Sequence, residues 1–205
     1  MFNGIIFNKS KVLKIEKRKN GINLFLKSNL PLKSSDLGIS ISCDGVCLTL
    51  ISIKNKILEF YLSNETLVRS KFKKIIEGDI INLELPLKNG QNISGHICQG
   101  HVDTVGKVSS IKKVDKSYIY KFKVKKKYIK YLIEKASIII NGVSLTISKV
   151  VAVPKSTITR FPPYNLYAPA EFTIRSAPTR TPLSTLVSIG NKHSSLPITK
   201  GRQLK

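Results

Sequence analysis

The segment Ser94-Gly95-His96-Ile97-Cys98-Gln99-Gly100-His101-Val102-Asp103 packs two of three histidines around one of three cysteines. Imidazole transfers protons near neutral pH, and the glycines let another backbone or a ligand come close, so proton transfer is one use of such a cluster. Zinc is the other use of His and Cys. In a strand, however, His96 and Cys98 share a face and His101 falls on the other unless Gly100 bends the chain. No second Cys/His pair completes a tetrahedron, which makes metal the weaker reading. The plain alternative for each histidine is a packed, hydrogen-bonded group near a strand end.

A second pattern is small and polar. Cys47 and Thr49 alternate with Leu48, and Ser144 and Thr146 alternate with Leu145. A polar pair on an inward strand face is costly unless hydrogen-bonded, and its presence twice argues for paired polar pockets. Glu65-Thr66 reads as a helix start, with Glu65 near the positive end of the dipole. No nucleophile elbow, phosphate loop or dinucleotide fingerprint is present. His193 stands apart from all of these groups.

The elements that must position these residues come as a repeat. Ser40-Ile41-Ser42-Cys43-Asp44-Gly45-Val46-Cys47-Leu48-Thr49 returns 97 residues later as Ser137-Ile138-Ile139-Ile140-Asn141-Gly142-Val143-Ser144-Leu145-Thr146. Gly4, Lys11, Val12, Ile15 and Lys17 return as Gly100, Lys107, Val108, Ile111 and Lys113, 96 residues on. Two distant segments with nearly one offset mean a duplicated domain of just under a hundred residues. Such a pair can hold two similar ligands.

Alternation predicts strands over 22–26, 39–42, 46–53, 57–62 and 80–85. Asp44-Gly45 and Asn141-Gly142 predict tight hairpin turns, because these pairs tolerate positive φ. Two short helices are expected, over 65–76 and 126–135. Many short strands with few helices favour closed barrels, which leave no sheet edge open.

After Val150 the repeat fades. Seven of the 9 prolines and four of the six arginines lie beyond it. Proline removes a ladder donor, so the stretch 151–205 reads as an irregular Pro/Ser/Thr-rich tail, disordered or translated out of frame. The expected organisation is a first barrel over 1–97, the first half of a second over 98–150, and this tail.

Composition sets outer limits. The chain has 205 residues, 41% of them apolar, with no run near the roughly 20 that a membrane helix needs. No signal-peptide pattern opens it and its cysteines show no disulfide framework, so a cytoplasmic location is expected. A net charge of +23 raises nucleic-acid binding. The lysines are dispersed among Ile and Asn without any recognition motif, so a residue bias explains them and a nucleic-acid partner is not expected.

The ordered set of motifs resembles the riboflavin synthase family, alpha-subunit type, over about residues 1–150. It comprises Met1-Phe2, Gly4-Ile5-Ile6, Ser40-Ile41, Gly45-Val46-Cys47-Leu48-Thr49, Glu65-Thr66-Leu67, Gly78-Asp79, Ile81-Asn82-Leu83-Glu84, Gly95-His96, Gln99-Gly100-His101-Val102-Asp103 and Gly142-Val143-Ser144-Leu145-Thr146. The resemblance implies an all-β fold of two six-stranded Greek-key barrels in tandem, the second here incomplete, and a homotrimer where the C-terminal helix is present. It implies dismutation of two 6,7-dimethyl-8-ribityllumazine molecules into riboflavin and a ribitylaminopyrimidinedione, without metal or redox cofactor. The implied site lies between the first barrel of one subunit and the second barrel of its neighbour.

Carried over by position, Gly4, Ile5 and Ile6 would border one ligand alongside Cys47, Leu48 and Thr49. Tyr61, Leu62, Ser63, Asn64, Glu65 and Thr66 would contact it, and Gly100, His101 and Val102 would complete that pocket. Lys135, Ser144, Leu145 and Thr146 would hold the second ligand. His101 is the expected proton-transfer group, with Ser40 and Cys47 as polarising or nucleophilic help. Asn3, Asp44 and Ala136 depart from the family's usual threonine, asparagine and glycine. A non-catalytic lumazine- or flavin-binding protein, or an inactive truncated product, is the alternative.

Overall fold

A computed structural model describes residues 1–115 and 117–152, with 170–176 and 186–190 as backbone strands. The first copy contributes β1 (Asn8–Arg18), β2 (Gly21–Lys27), β3 (Ser40–Cys43), β4 (Val46–Lys54), β5 (Ile57–Ser63), α1 (Asn64–Arg69) and β6 (Ile80–Glu84). The second contributes β7 (Thr104–Val114), β8 (Ser117–Val124), β9 (Ser137–Ile140), β10 (Val143–Ala152), β11 (Ala170–Ser176) and β12 (Leu186–Gly190). The first ring closes in the order β1-β2-β5-β4-β3-β6, and the second repeats that cyclic order as β7-β8-β11-β10-β9-β12.

Even the irregularities repeat. The register slips between Val12 and Lys14 in β1 and between Val108 and Ser110 in β7. It slips again between Leu50 and Ser52 in β4 and between Ile147 and Lys149 in β10. Each bulge bends its strand and lets a small ring close.

The interior follows from period two. Val46, Leu48 and Leu50 of β4 point inward with Leu24, Leu26, Leu58, Phe60, Ile81 and Leu83, while Phe72 plugs the ring. The second core gathers Tyr120, Phe122, Val124, Ile138, Ile140 and Ile147. Burying each large aliphatic side chain contributes roughly 2 kcal/mol. One expectation is thereby corrected. The apolar members of β4 occupy the inward face, so Cys47 and Thr49 lie on the outer one, with Thr49 exposed.

The predicted helix over 65–76 is two elements. Ser70 ends α1 by donating its hydroxyl to the Thr66 carbonyl at 2.7 Å, then accepts from the Phe72 amide at 3.3 Å to start a 3-10 turn, Lys71–Lys74. The stretch 126–135 is helical only as a 3-10 segment, Lys126–Tyr131. Beyond Val150, two stretches of the tail form strands. β11 pairs with β8 and β10, and β12 with β7 and β9. Neither strand contains proline, so composition averaged over the whole tail hid them. The described residues of the second barrel include no counterpart of α1, and the rest of the tail lies outside the described residues.

The barrels meet turn to turn. Asp44-Gly45 (φ 46 and 81) and Asn141-Gly142 (φ 48 and 79) adopt the same left-handed pair. A side-chain carbon added to Gly45 would stand 2.8 Å from the Gly142 nitrogen, and one on Gly142 would stand 3.0 Å from the Gly45 nitrogen. Only glycine permits that approach.

Candidate functional site

Two short segments lead into the barrels and cross between them. Phe2 and Cys98 exchange backbone hydrogen bonds of 2.8 and 2.9 Å. From there the first segment passes to the second barrel, where the Ser144 amide donates to the Gly4 carbonyl at 2.9 Å. The second passes to the first barrel, where the Cys47 amide donates to the Gly100 carbonyl at 2.8 Å. Both glycines have left-handed backbones, φ 75 and 77, and both abut the partner strand too closely for a side chain. At Cys47 and at Ser144 the outer faces of β4 and β10 are therefore each crossed by the other copy's leading segment.

Where Gly100 crosses Cys47 lies a cavity of about 320 Å³ lined by Val46, Cys47, Glu65, Thr66, Arg69, Ser70, Gly100, His101 and Val102. That volume is at the lower end for small-molecule sites. α1 forms one wall, with Ser63 capping it by accepting from the Thr66 amide at 3.3 Å. Glu65 and Arg69, one turn apart, form an ion pair at its rim. β4 forms the other wall. His101, exposed, and Cys47, half-buried, face this shared space.

The crossing of Gly4 on Ser144 has its own polar group. Nδ1 of His96 and the Ser144 hydroxyl are hydrogen-bonded. His96 is held by its amide, which donates to the Asn3 carbonyl at 2.9 Å. The first leading segment is anchored by Glu84, a buried carboxylate that accepts from the Asn3 amide at 2.7 Å and the Gly4 amide at 3.0 Å. Burial pushes the Glu84 carboxyl above the usual glutamate value, although those amides pull the other way. Cys98 is pushed up to about 11 by burial and by the nearby Glu84 charge.

The positional expectations divide accordingly. Cys47, Glu65, Thr66, Gly100, His101 and Val102 come together around the first cavity. Gly4 sits against Ser144, and Ile6 reaches toward Gly142, so the first leading segment borders the second barrel rather than Cys47. Leu48 and Leu62 are core residues. Tyr61 is largely exposed and donates its hydroxyl to the Asn20 carbonyl at 2.8 Å, Ser63 serves as the cap, and Asn64 opens α1 on the surface. Ser40 pairs with Thr49 across the hairpin and does not line the cavity. Leu145 and Thr146 follow Ser144 on β10, and Lys135 is exposed, with its amide donating to the Ile147 carbonyl at 2.8 Å.

Sequence reasoning passed over Val46, Arg69 and Ser70. These last two could have been found from Glu65 and Thr66, since Arg69 and Ser70 each lie four positions further along the helix and return to the same side. Among the described residues no group of three His, Cys, Asp or Glu side chains could hold a metal.

The model of the lumazine binding domain family matches residues 3–86 and 99–162, further along the second copy than the motifs reach. A riboflavin synthase of Buchnera aphidicola subsp. Schizaphis graminum is 35% identical over 153 residues, 74% of each chain. One from Actinobacillus pleuropneumoniae is 33% identical over 147 residues, 72% of this chain and 68% of the other. A solved structure of LumP complexed with 6,7-dimethyl-8-(1'-D-ribityl)lumazine has the same fold, with TM-score 0.71 and 18% identity, covering 94% of this chain and 100% of that one.

Proposed function

We propose a reaction from one premise: the chain belongs to the lumazine-binding family of riboflavin synthases. The function is that of a transferase in which two 6,7-dimethyl-8-ribityllumazine molecules dismutate. One gives up a four-carbon unit and leaves as the ribitylaminopyrimidinedione, while the other becomes riboflavin. The observation that carries this reading is the pair of crossings, Gly100 on Cys47 and Gly4 on Ser144, which yields two related but unequal polar sites. Placing two identical substrates in such sites replaces a rare encounter with an effectively intramolecular step.

His101 removes a proton from the acidic C7 methyl group of the lumazine in the first cavity. Cys47, on the opposite wall, polarises or adds to the ring. Ser40 acts more remotely, through its hairpin partner Thr49. Gly100 and Val102 supply backbone contacts, and Thr66 and Glu65 close the α1 side. Ser144, Leu145, Thr146, Lys135, Gly4, Ile5 and Ile6 receive the second lumazine. The active unit is a homotrimer in which the first site of one chain faces the second site of its neighbour, and its place is the cytoplasm. No helix among the described residues is long and apolar enough to cross a membrane.

The test is turnover. Incubated with 6,7-dimethyl-8-ribityllumazine, the chain forms one riboflavin for every two lumazines consumed, and His101→Ala slows this by about a hundredfold. Ligand bound without product would favour a lumazine carrier instead.

A further inference from the structure

The buried carboxylate of Asp44 has no counterpart in the second copy. Asn141 occupies the equivalent turn position with nearly the same φ, 48 against 46, so the turn itself needs no charge. Asp44 nonetheless has its side chain 2% exposed, with Oδ2 at 2.6 Å from the Lys71 ammonium, whose side chain is 9% exposed. Its other oxygen accepts from the Asn82 amide at 3.0 Å. Removing two charges from water is costly, so a buried pair by itself is weak evidence of added stability.

The positions of the partners say what is fixed. Lys71 directly follows Ser70 on the helical wall of the cavity, and Asp44 lies two residues before Val46 on the strand wall. The ion pair thus ties together the two segments that carry the cavity walls. We propose that Asp44 and Lys71 are a positioning pair that sets the width of the first site and hence its affinity for a flat bicyclic ring. The inference rests on reading that cavity as a lumazine site.

Riboflavin serves as a non-reacting fluorescent probe, titrated into the full chain and its variants. D44N and K71M each remove this buried ion pair, and each weakens binding by about tenfold or more. The double variant D44N/K71M, with asparagine as at Asn141, recovers binding to within about threefold of wild type. Phe122→Leu, in the other barrel's core, lowers stability and leaves affinity unchanged. Backbone hydrogen exchange over residues 70–72 rises in the single variants and falls back in the double. Single variants that bind like wild type, or a double variant no better than either, would overturn the proposal. If wild type itself does not bind while exchange follows the expected pattern, the lumazine reading fails and the clamp stands as a structural tie, not a positioning pair.

Discussion

The hairpins β3–β4 and β9–β10 are the same object made twice. Ile41 pairs with Leu48 and Ser42 with Cys47 in one, and Ile138 with Leu145 and Ile139 with Ser144 in the other. The chemistry on their outer faces is not the same. One carries a thiol beneath Gly100 and beside the cavity that His101 lines, and the other a hydroxyl bonded to His96 beneath Gly4. Duplication kept the frame, in which a slip of one residue would turn every side chain over. It let the donors diverge. Two unequal sites suit a reaction whose two identical substrates take unequal parts.

The largest effects are expected where the copies cross. A valine at Gly100 or Gly4 would bring its β-carbon within 2.8 Å of Cys47 or 2.6 Å of Ser144, on a backbone of positive φ. G100V and G4V should each reduce riboflavin formation by about a hundredfold or more, since a displacement near 1 Å suffices. Equal loss from both would show that both sites are needed, and a large loss from one alone would break the symmetry argued here.

Next come the cores. Leu48 is buried and Leu145 only partly so. Chemical denaturation should therefore find L48A destabilised by about 3 kcal/mol and L145A by about 1–2 kcal/mol. Equal losses would mean that the second core is as tightly filled as the first.

Glu84 gives a smaller, pH-dependent effect. Its folded carboxyl titrates above the ordinary value of 4.5. Between the unfolded and folded values the native state holds the extra proton, so this contribution is full below 4.5 and is lost as pH rises through the folded value. Melting curves of wild type and E84Q across that window should show wild type losing stability relative to E84Q as pH rises. The opposite slope would mean that the Asn3 and Gly4 amides outweigh burial.

The smallest effect separates the thiols. Cys98, at about 11, should react with iodoacetamide slowly at pH 8 and faster as pH approaches that value. Fast labelling already at pH 8 would show that the Phe2–Cys98 bridge opens readily and frees an ordinary thiol.

Much of this was legible before any coordinates. Period-two alternation located β2 through β6 within a residue or two, and Asp44-Gly45 and Asn141-Gly142 marked both hairpins. What resisted was long-range. Alternation groups Cys47 with Thr49 but does not say which face is inside; that depends on the summed burial of Val46, Leu48 and Leu50. The crossing of Gly4 to Ser144 spans 140 residues and leaves no local pattern, so Gly4, Ile5 and Ile6 were expected beside Cys47 of their own barrel. β11 and β12 lacked recognisable counterparts, and proline between them masked their strand character. Arg69 and Lys71 were legible as surface charges only until the fold put one at a cavity and the other on Asp44.

The most direct test of the central claim, two sites from two copies completed between chains, uses the inactive pair G4V and G100V. Each retains one site that the other lacks. Co-expressed in one cell and purified as mixed assemblies, they should regain riboflavin formation to roughly a quarter of the wild-type rate, because some interfaces join an intact first site to an intact second site. A mixture as inactive as its components would place the reaction within a single chain and contradict the account.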